Sequence, residues 1–450
     1  MAETKLTQVE KKVTSETKSP GRAGRGRMLV GAFALGLMVS PDNLALLGRF
    51  AGHFNIYVPL LLVVGAVVYI SYARSYENLY ALFCLESGKA LDIRKVLGVW
   101  LAYYPLTVRV LSAIFLTTGL TVTSGFVFNE VFVYWFPNFG FAYILLAVVS
   151  GLHFFGPDTR AKAQVLFVGT ALVGLALLIG IGIVKGLPYT ASHIPSGPRI
   201  MLSWLFVPLL FFIGFDIAVP FGAVSPHQTK DILQALKTAI AVFGVLMILW
   251  AIVTTQHVSG ARLVATSISH MIAAREISGQ FGRIIMGLVV IAGTCAAVNA
   301  LFEAVARVTA TMSKQKMLPR ARYTSRFSVL CVAVAAAIMM AGGLAGEEIL
   351  ESYIRAALLL WLGGYGLLQI RLLQMTVAVT GMRQGSTRLR LLTTAVLAFG
   401  GAAILALTDD QAMIILKVMT TTIAIALVLG AIGNWRANKA PMLHKQHDKR

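Results

Sequence analysis

Two carboxylates and one guanidinium lie where an apolar chain has least reason to carry charge. Asp42 follows the run Gly36-Leu37-Met38-Val39-Ser40-Pro41, and Asp216 follows Ile213-Gly214-Phe215, with Pro220 four residues on. Arg109 interrupts a third apolar stretch. A charge at the centre of a bilayer costs at least about 2.5–3.5 kcal/mol on insertion scales, so such groups face the protein interior or a water-filled cavity. Both carboxylates also sit beside helix-breaking residues. Ser40-Pro41-Asp42 reads as a fresh helix start, with Ser as N-cap, Pro in the first position and Asp in the first turn. The spacing predicts a helix broken near residues 37–40 and another broken between Gly214 and Pro220. Broken backbone in a membrane is tolerated where it lines a cavity. There the amides at a half-helix start attract anions, and the carbonyls at a half-helix end attract amines or cations.

That chemistry suits a small zwitterion. A substrate carboxylate is expected at the amides near Ser40, and a substrate amine at carbonyls near Gly36 and Gly214, with Asp216 close by. Leu37, Ile213 and Phe215 complete the expected lining. Asp42 fits the helix dipole but repels a substrate carboxylate. Either it turns away from the cavity, or the substrate is an amine or another cation. Arg109 lines the pathway or pairs with an acidic neighbour. Thr294 and Asn299 offer oxygen atoms to a coupling sodium ion. Glu303 and Arg307, four residues apart, have the spacing of a helical ion pair.

The elements that position these residues follow from composition. The 450 residues are 57% hydrophobic and 13% charged, with mean hydropathy +0.77. Soluble domains carry about 25% charged residues, so water is not the main solvent here. Apolar runs of bilayer length predict twelve spans: 28–48, 56–82, 96–122, 138–155, 163–184, 201–222, 237–255, 283–311, 327–345, 354–379, 391–408 and 412–432. Most of the 39 Lys and Arg residues fall on the side of the N-terminus. The opposite side carries Arg49, Lys185, Arg199, Arg262, Arg275, Arg283 and Arg355. This asymmetry predicts a plasma (inner) membrane protein with both termini in the cytoplasm, and it explains the net charge of +20 without nucleic acid. The longest outer loop, about 257–282, is expected to hold a short surface helix near 267–274. Cys84, Cys295 and Cys331 lie in or beside apolar runs, lack metal-ligand spacing, and are expected to be buried thiols.

The two breaks fall in spans 1 and 6. Five helices apart is an odd number, so the two five-helix halves insert in opposite orientations, the arrangement of an inverted-repeat transporter. The expected fold is therefore all-α and polytopic: a five-plus-five inverted repeat with broken helices 1 and 6, plus two extra helices. Residues 1–27 are expected to form a disordered basic cytoplasmic tail. Residues 28–222 hold the first repeat (about 28–184) and helix 6, and 223–380 the rest of the second repeat. The two additional helices occupy 381–435, and 436–450 is a basic tail. The chain has no His-Glu-x-x-His, P-loop or Gly-x-Ser-x-Gly motif, which argues against an enzyme or an ATP-driven pump. No cofactor is expected. The expected partners are the lipid bilayer and the substrate, with a proton or sodium ion as possible coupling ion.

Phe212-Ile213-Gly214-Phe215-Asp216 resembles the Phe-x-Gly-Phe-Asp segment in helix 6 of the amino acid–polyamine–organocation (APC) permeases. Ser225-Pro226 followed by Lys230–Ala235 is similar to its continuation. Asn299-Ala300 through Arg307, Met312 and Lys316–Pro319 look like the family's eighth helix and the basic turn after it, and Gly156–Gln164 is similar to its loop between helices 4 and 5. The resemblance spans roughly 28–435. It implies import or exchange of amino acids or related amines by alternating access. A nontransporting membrane sensor or a channel-like relative would carry the same helices. The chain departs from the family pattern in helix 1, where Gly36-Leu37-Met38 replaces Gly-[Ser/Thr/Ala]-Gly, and after helix 6, where Phe221-Gly222 replaces an acidic pair. No lysine lies between Lys162 and Lys185, so the proton-coupling lysine of some members does not carry over.

Overall fold

The computed structural model describes residues 20–80, 93–186, 198–219, 226–318, 324–344, 347–380 and 385–447. These residues form helices and turns, with no strand among them. In lipid each backbone amide and carbonyl must find a partner within its own segment, and a helix does this along an apolar run without relying on a neighbour. In chain order the helices are α1 (Pro20–Met38), α2 (Pro41–Phe54), α3 (Val58–Tyr80), α4 (Ile93–Leu97), α5 (Tyr104–Val131), α6 (Asn138–Leu152), α7 (Pro157–Lys185) and α8 (Pro198–Phe206). They continue as α9 (Pro208–Phe211), α10 (Pro226–His257), α11 (Gly260–Val264), α12 (Ser269–Lys314), α13 (Thr324–Ala341), α14 (Glu348–Thr380), α15 (Gly385–Thr408) and α16 (Ala412–His447).

Among the described residues, eight helical stretches are long and apolar enough to cross a bilayer. Shorter apolar helices cover Gly26–Met38, Asn138–Leu152, Met201–Phe211 and Ser325–Ala341. Each of the twelve expected spans falls on one or more of these helices. The third span, expected from residue 96, begins later. Gly98, with φ +80°, ends the short α4, and Pro105 sits in the first turn of α5, which begins only at Tyr104. Both residues punctuate helices for steric reasons. At the ends, helix replaces expected tail: α1 begins at Pro20 and α16 runs on to His447. Residues 1–19 lie outside the described residues, as does Cys84.

The eighth span is the centre of the bundle. Within α12 the apolar window is 78% buried, against 17% for the window in α16 at the periphery. Ser278 and Gly279 leave helical geometry (Gly279 φ +58°) and split α12 into a short first piece before residue 278 and the long span after it. The first piece is the short helix expected near 267–274. It packs into the protein: Ser269 is buried and its Oγ donates to Ala45 O in α2 at 3.0 Å. Cys295 is partly buried, whereas Cys331 is exposed on the face of α13. An apolar residue in a bilayer protein can be hidden from water by lipid alone, so apolar context did not imply burial in protein for Cys331.

Candidate substrate site at the two helix breaks

Helix 1 is interrupted where its sequence changes from helix end to helix start. α1 stops at Met38 and α2 starts at Pro41, whose nitrogen has no hydrogen to give the preceding turn. Ser40 stands between them in extended backbone (φ −63°, ψ 151°), buried, at the N-cap of α2, with no side-chain capping bond. Asn43, one residue after Asp42, instead caps the C-terminal end of α1. Its Nδ2 donates to Met38 O at 2.9 Å and to Phe211 O at 3.1 Å. Phe211 is the last residue of α9, so one amide satisfies the ends of two half-helices.

Helix 6 is interrupted over a longer stretch. After α9 the chain runs through turns from Phe212 to Ala218, and Gly214 takes φ +94°, a conformation that disfavours any residue with a Cβ. Gly214 N donates to Tyr365 Oη at 3.2 Å, and Arg307 Nη1 donates to Ala218 O at 3.2 Å. Pro220, Phe221 and Gly222 lie outside the described residues. The two breaks touch: a Cβ built on Gly214 would stand 2.8 Å from Leu37 Cδ2. The unwound segment of helix 1 is also pressed against α12, since a Cβ on Gly293 would lie 2.5 Å from Val39 O. Gly36 meets α7 and α12 in the same way, with Gln164 Nε2 and Ala300 Cβ in the space a side chain would need.

Asp216 lies buried in the helix 6 break and collects four donors. Tyr76 Oη (3.0 Å) and Arg109 Nη2 give to Oδ2; Tyr365 Oη (2.8 Å) and Trp361 Nε1 (3.2 Å) give to Oδ1. Arg109 comes from α5, Tyr76 from α3, and Trp361 and Tyr365 from successive turns of α14. The guanidinium lies over the Trp361 ring, 3.8 Å from Cζ to the centroid, a cation–π contact. Its Nη1 is buried without a hydrogen-bond partner among the described residues. A cavity of about 80 Å³, with an apolar lining that includes Leu79, Val96 and Leu368, adjoins Arg109, Asp216 and Trp361. Phe215 fills the other flank, its ring 5.3 Å from Tyr365 and 5.4 Å from Tyr69. Ile213 is buried beside it.

The remaining expected residues sit elsewhere. Asp42 is half-buried in the first turn of α2, with Arg49 and Glu351 as its charged neighbours. Thr294 accepts from Ser124 Oγ at 2.7 Å and so ties α12 to α5. Asn299 Oδ1 meets His153 Nε2 at 3.0 Å, and its Nδ2 donates to Gln164 Oε1 at 2.7 Å. Gln164 in turn donates to Ala32 O of α1 at 3.1 Å. Glu303 and Arg307 form the ion pair their spacing predicts, at 2.7 Å, and Arg160 joins Glu303 at 2.9 Å.

Sequence reasoning missed Asn43, Tyr76, Trp361 and Tyr365. Tyrosine and tryptophan count as hydrophobic in a hydropathy profile, yet each carries one donor that a buried carboxylate needs. The usable signal was periodicity: Tyr69, Tyr72 and Tyr76 share one face of α3, and Trp361 and Tyr365 are one turn apart.

No protein-family model matches this chain, and no curated protein does. Solved structures do. A manganese transporter from Eremococcus coleocola, in complex with an aromatic bis-isothiourea compound, superposes with TM-score 0.61 at 11% identity, over 91% of this chain and 94% of that one. Mhp1, a nucleobase-cation-symport-1 family transporter in a closed conformation with bromovinylhydantoin bound, gives TM-score 0.51 at 12% identity, over 88% and 96%. The chain has a membrane transporter fold. At these identities the likeness speaks for the fold alone, and both neighbours are transporters rather than enzymes.

Proposed function

We propose that the protein is a secondary active transporter of the APC type, moving a small amino acid or related amine across the plasma (inner) membrane by alternating access, with both termini cytoplasmic. The observation that carries this reading is the meeting of the two breaks, Leu37 against Gly214 and Asn43 bonded to Phe211, beside the buried Arg109–Asp216 pair. The pairing of interrupted helices in two halves of a transporter fold marks the solute site. In this reading the carboxylate of the substrate meets the amides near Ser40 and the partnerless Nη1 of Arg109. The amine meets carbonyls near Gly36 and Gly214. Asp216 acts through Arg109: its negative charge holds the guanidinium in place, and the pairing leaves it a poor direct ligand for a cation. Asp42 belongs to the outer charged group with Arg49 and Glu351. Thr294 and Asn299 serve as framework between helices, and the coupling ion, a proton or sodium, is bound elsewhere.

A divalent cation is a poorer fit, because the carboxylate at the break is already spent on a guanidinium. The reading is tested by uptake into proteoliposomes of the purified chain, with amino acids, polyamines and small amines supplied in turn. Uptake is expected to follow an imposed ion gradient or exchange and to need no ATP. Uptake driven by ATP alone after every gradient is collapsed overturns it. Ligand binding with no flux under any gradient favours a sensor instead.

A further inference from the structure

A second cavity, this one polar, is lined by residues other than those at the breaks. It measures about 220 Å³ and opens between the turn joining α6 to α7, the later part of α12 and the start of α13. His153, Phe155, Arg160, Ser325 and Arg326 line it. Two guanidinium groups therefore border one small space. Arg160 gives Nη1 to Glu303 at 2.9 Å and meets His153 Nδ1 at 3.2 Å, while its Nε is buried without a partner among the described residues. Arg326 is exposed, and no acid pairs with it among the described residues. Glu303 is already shared by Arg160 and Arg307. The charged side chains of the lining are thus Arg160 and Arg326, with Asp158 in the same first turn of α7 as Arg160, and the lining itself is positive.

The surroundings favour phosphate over other anions. Arginine forks match the oxygen geometry of a phosphate group. The Ser325 hydroxyl and the first turn of the 18-residue α13 add donors and the positive end of a helix dipole. Phe155 in the lining is 62% exposed, and Phe327, two residues past Ser325 in α13, is 64% exposed. Such rings suit the boundary between headgroups and acyl chains. Under the orientation proposed above, this end of the bundle faces the cytoplasmic leaflet, where basic pockets between helices hold anionic headgroups.

We propose that this cavity binds a phosphate group, carried by the headgroup of an anionic phospholipid of the adjoining leaflet. The site is also wired to helix 1. Arg160 contacts His153, which continues through Asn299 and Gln164 to the carbonyl of Ala32 in α1. A phosphate competes with Glu303 for Arg160, so its binding acts on the anchoring of α1.

The test uses the full chain in detergent, with thermal unfolding and lipid binding by native mass spectrometry as readouts. Phosphatidylglycerol, phosphatidylcholine and inorganic phosphate are the three probes. Phosphatidylglycerol is expected to stabilise the protein and phosphatidylcholine to leave it unchanged. Arg326→Gln removes one basic contact from an exposed position, so it folds, and its phosphatidylglycerol affinity falls about fivefold. Arg326→Lys recovers most of that loss. Arg326→Gln is expected to leave uptake in pure phosphatidylcholine vesicles unchanged. Stabilisation by inorganic phosphate alone, lost in Arg326→Gln, also supports the phosphate site but assigns its occupant to solution. Equal responses of the parent and Arg326→Gln to both phosphate-bearing anions overturn the proposal. Binding is read without flux, so its failure is distinguishable from failure of the transport reading.

Discussion

The side-chain amide of Asn43 donates to the carbonyl of Phe211 at 3.1 Å, across 168 positions of sequence. The same nitrogen reaches Met38 O at 2.9 Å, so the ends of the two first half-helices share one donor. Replacing Asn43 with Ala leaves two carbonyls without it. A lost bond that strands a buried polar group costs about 1–3 kcal/mol. Asn43→Ala is therefore expected to unfold at lower temperature and to lose most uptake. Asn43→Asp puts a carboxylate oxygen against those carbonyls and is expected to be worse. Uptake and melting of both variants in the same detergent check the order.

The Arg109–Asp216 pair is expected to behave as a unit. Arg109→Gln leaves a buried carboxylate short of its cation, and Asp216→Asn leaves a buried guanidinium short of its anion. Removing one partner of a buried ion pair costs about 3–5 kcal/mol. The double variant Arg109→Gln/Asp216→Asn restores neutrality and is expected to melt above either single variant, while transport stays lost. A double-mutant cycle measures the coupling. Additive losses show that the pair is not coupled.

At Gly214 two penalties act together, and they can be separated. An alanine there is held at φ +94° and also meets Leu37 at 2.8 Å. The backbone part alone costs about 1–3 kcal/mol. Gly214→Ala is expected to be strongly destabilised. Adding Leu37→Ala removes the Cδ2 contact but leaves the Leu37 Cβ at 2.9 Å and the backbone conformation as they are, so it restores only part of the melting temperature. Full recovery means that the backbone conformation is not strained by a side chain.

Charged and polar links close the bundle at both ends. On one side Gln164 ties Ala32 of α1 to Asn299. On the other, Arg49 of α2 meets Glu351 at 3.5 Å, Glu351 meets Arg355 at 2.7 Å, and Arg355 pairs with Asp409. Gln164→Leu cuts the first link and Glu351→Gln weakens the second. Each is expected to raise thiol labelling of a cysteine placed on its own side, Ala32→Cys or Ala45→Cys, and not on the other. Labelling that rises equally on both sides means general loosening.

Much of this arrangement was readable in the residues. Pro41 and Gly214 announced the breaks because their backbone chemistry is local. Asp216 announced an interior position because isolated charge in an apolar run demands company, whereas Arg109 left open whether it lines the pathway or pairs with an acid. The identity of that company was hidden, since Tyr76, Trp361 and Tyr365 read as three more hydrophobic residues. Asn43 was hidden by its neighbours, reading as part of an ordinary helix start. Thr294 and Asn299 show the opposite limit. Their oxygens suited an ion in principle, but which way a polar side chain turns depends on packing from α5 and α7, which one helix's sequence does not contain.

The donors around Asp216 come from three separate helices, and none is spare. If α3, α5 or α14 slides by even one hydrogen-bond length, the carboxylate loses a ligand in a place with little water to replace it. Intermediate positions are therefore penalised, and the assembly favours either the full set of contacts or a distinctly different one. Motion through this region is expected to be all-or-none, so that single-molecule distance traces show abrupt jumps between plateaus rather than a continuous drift.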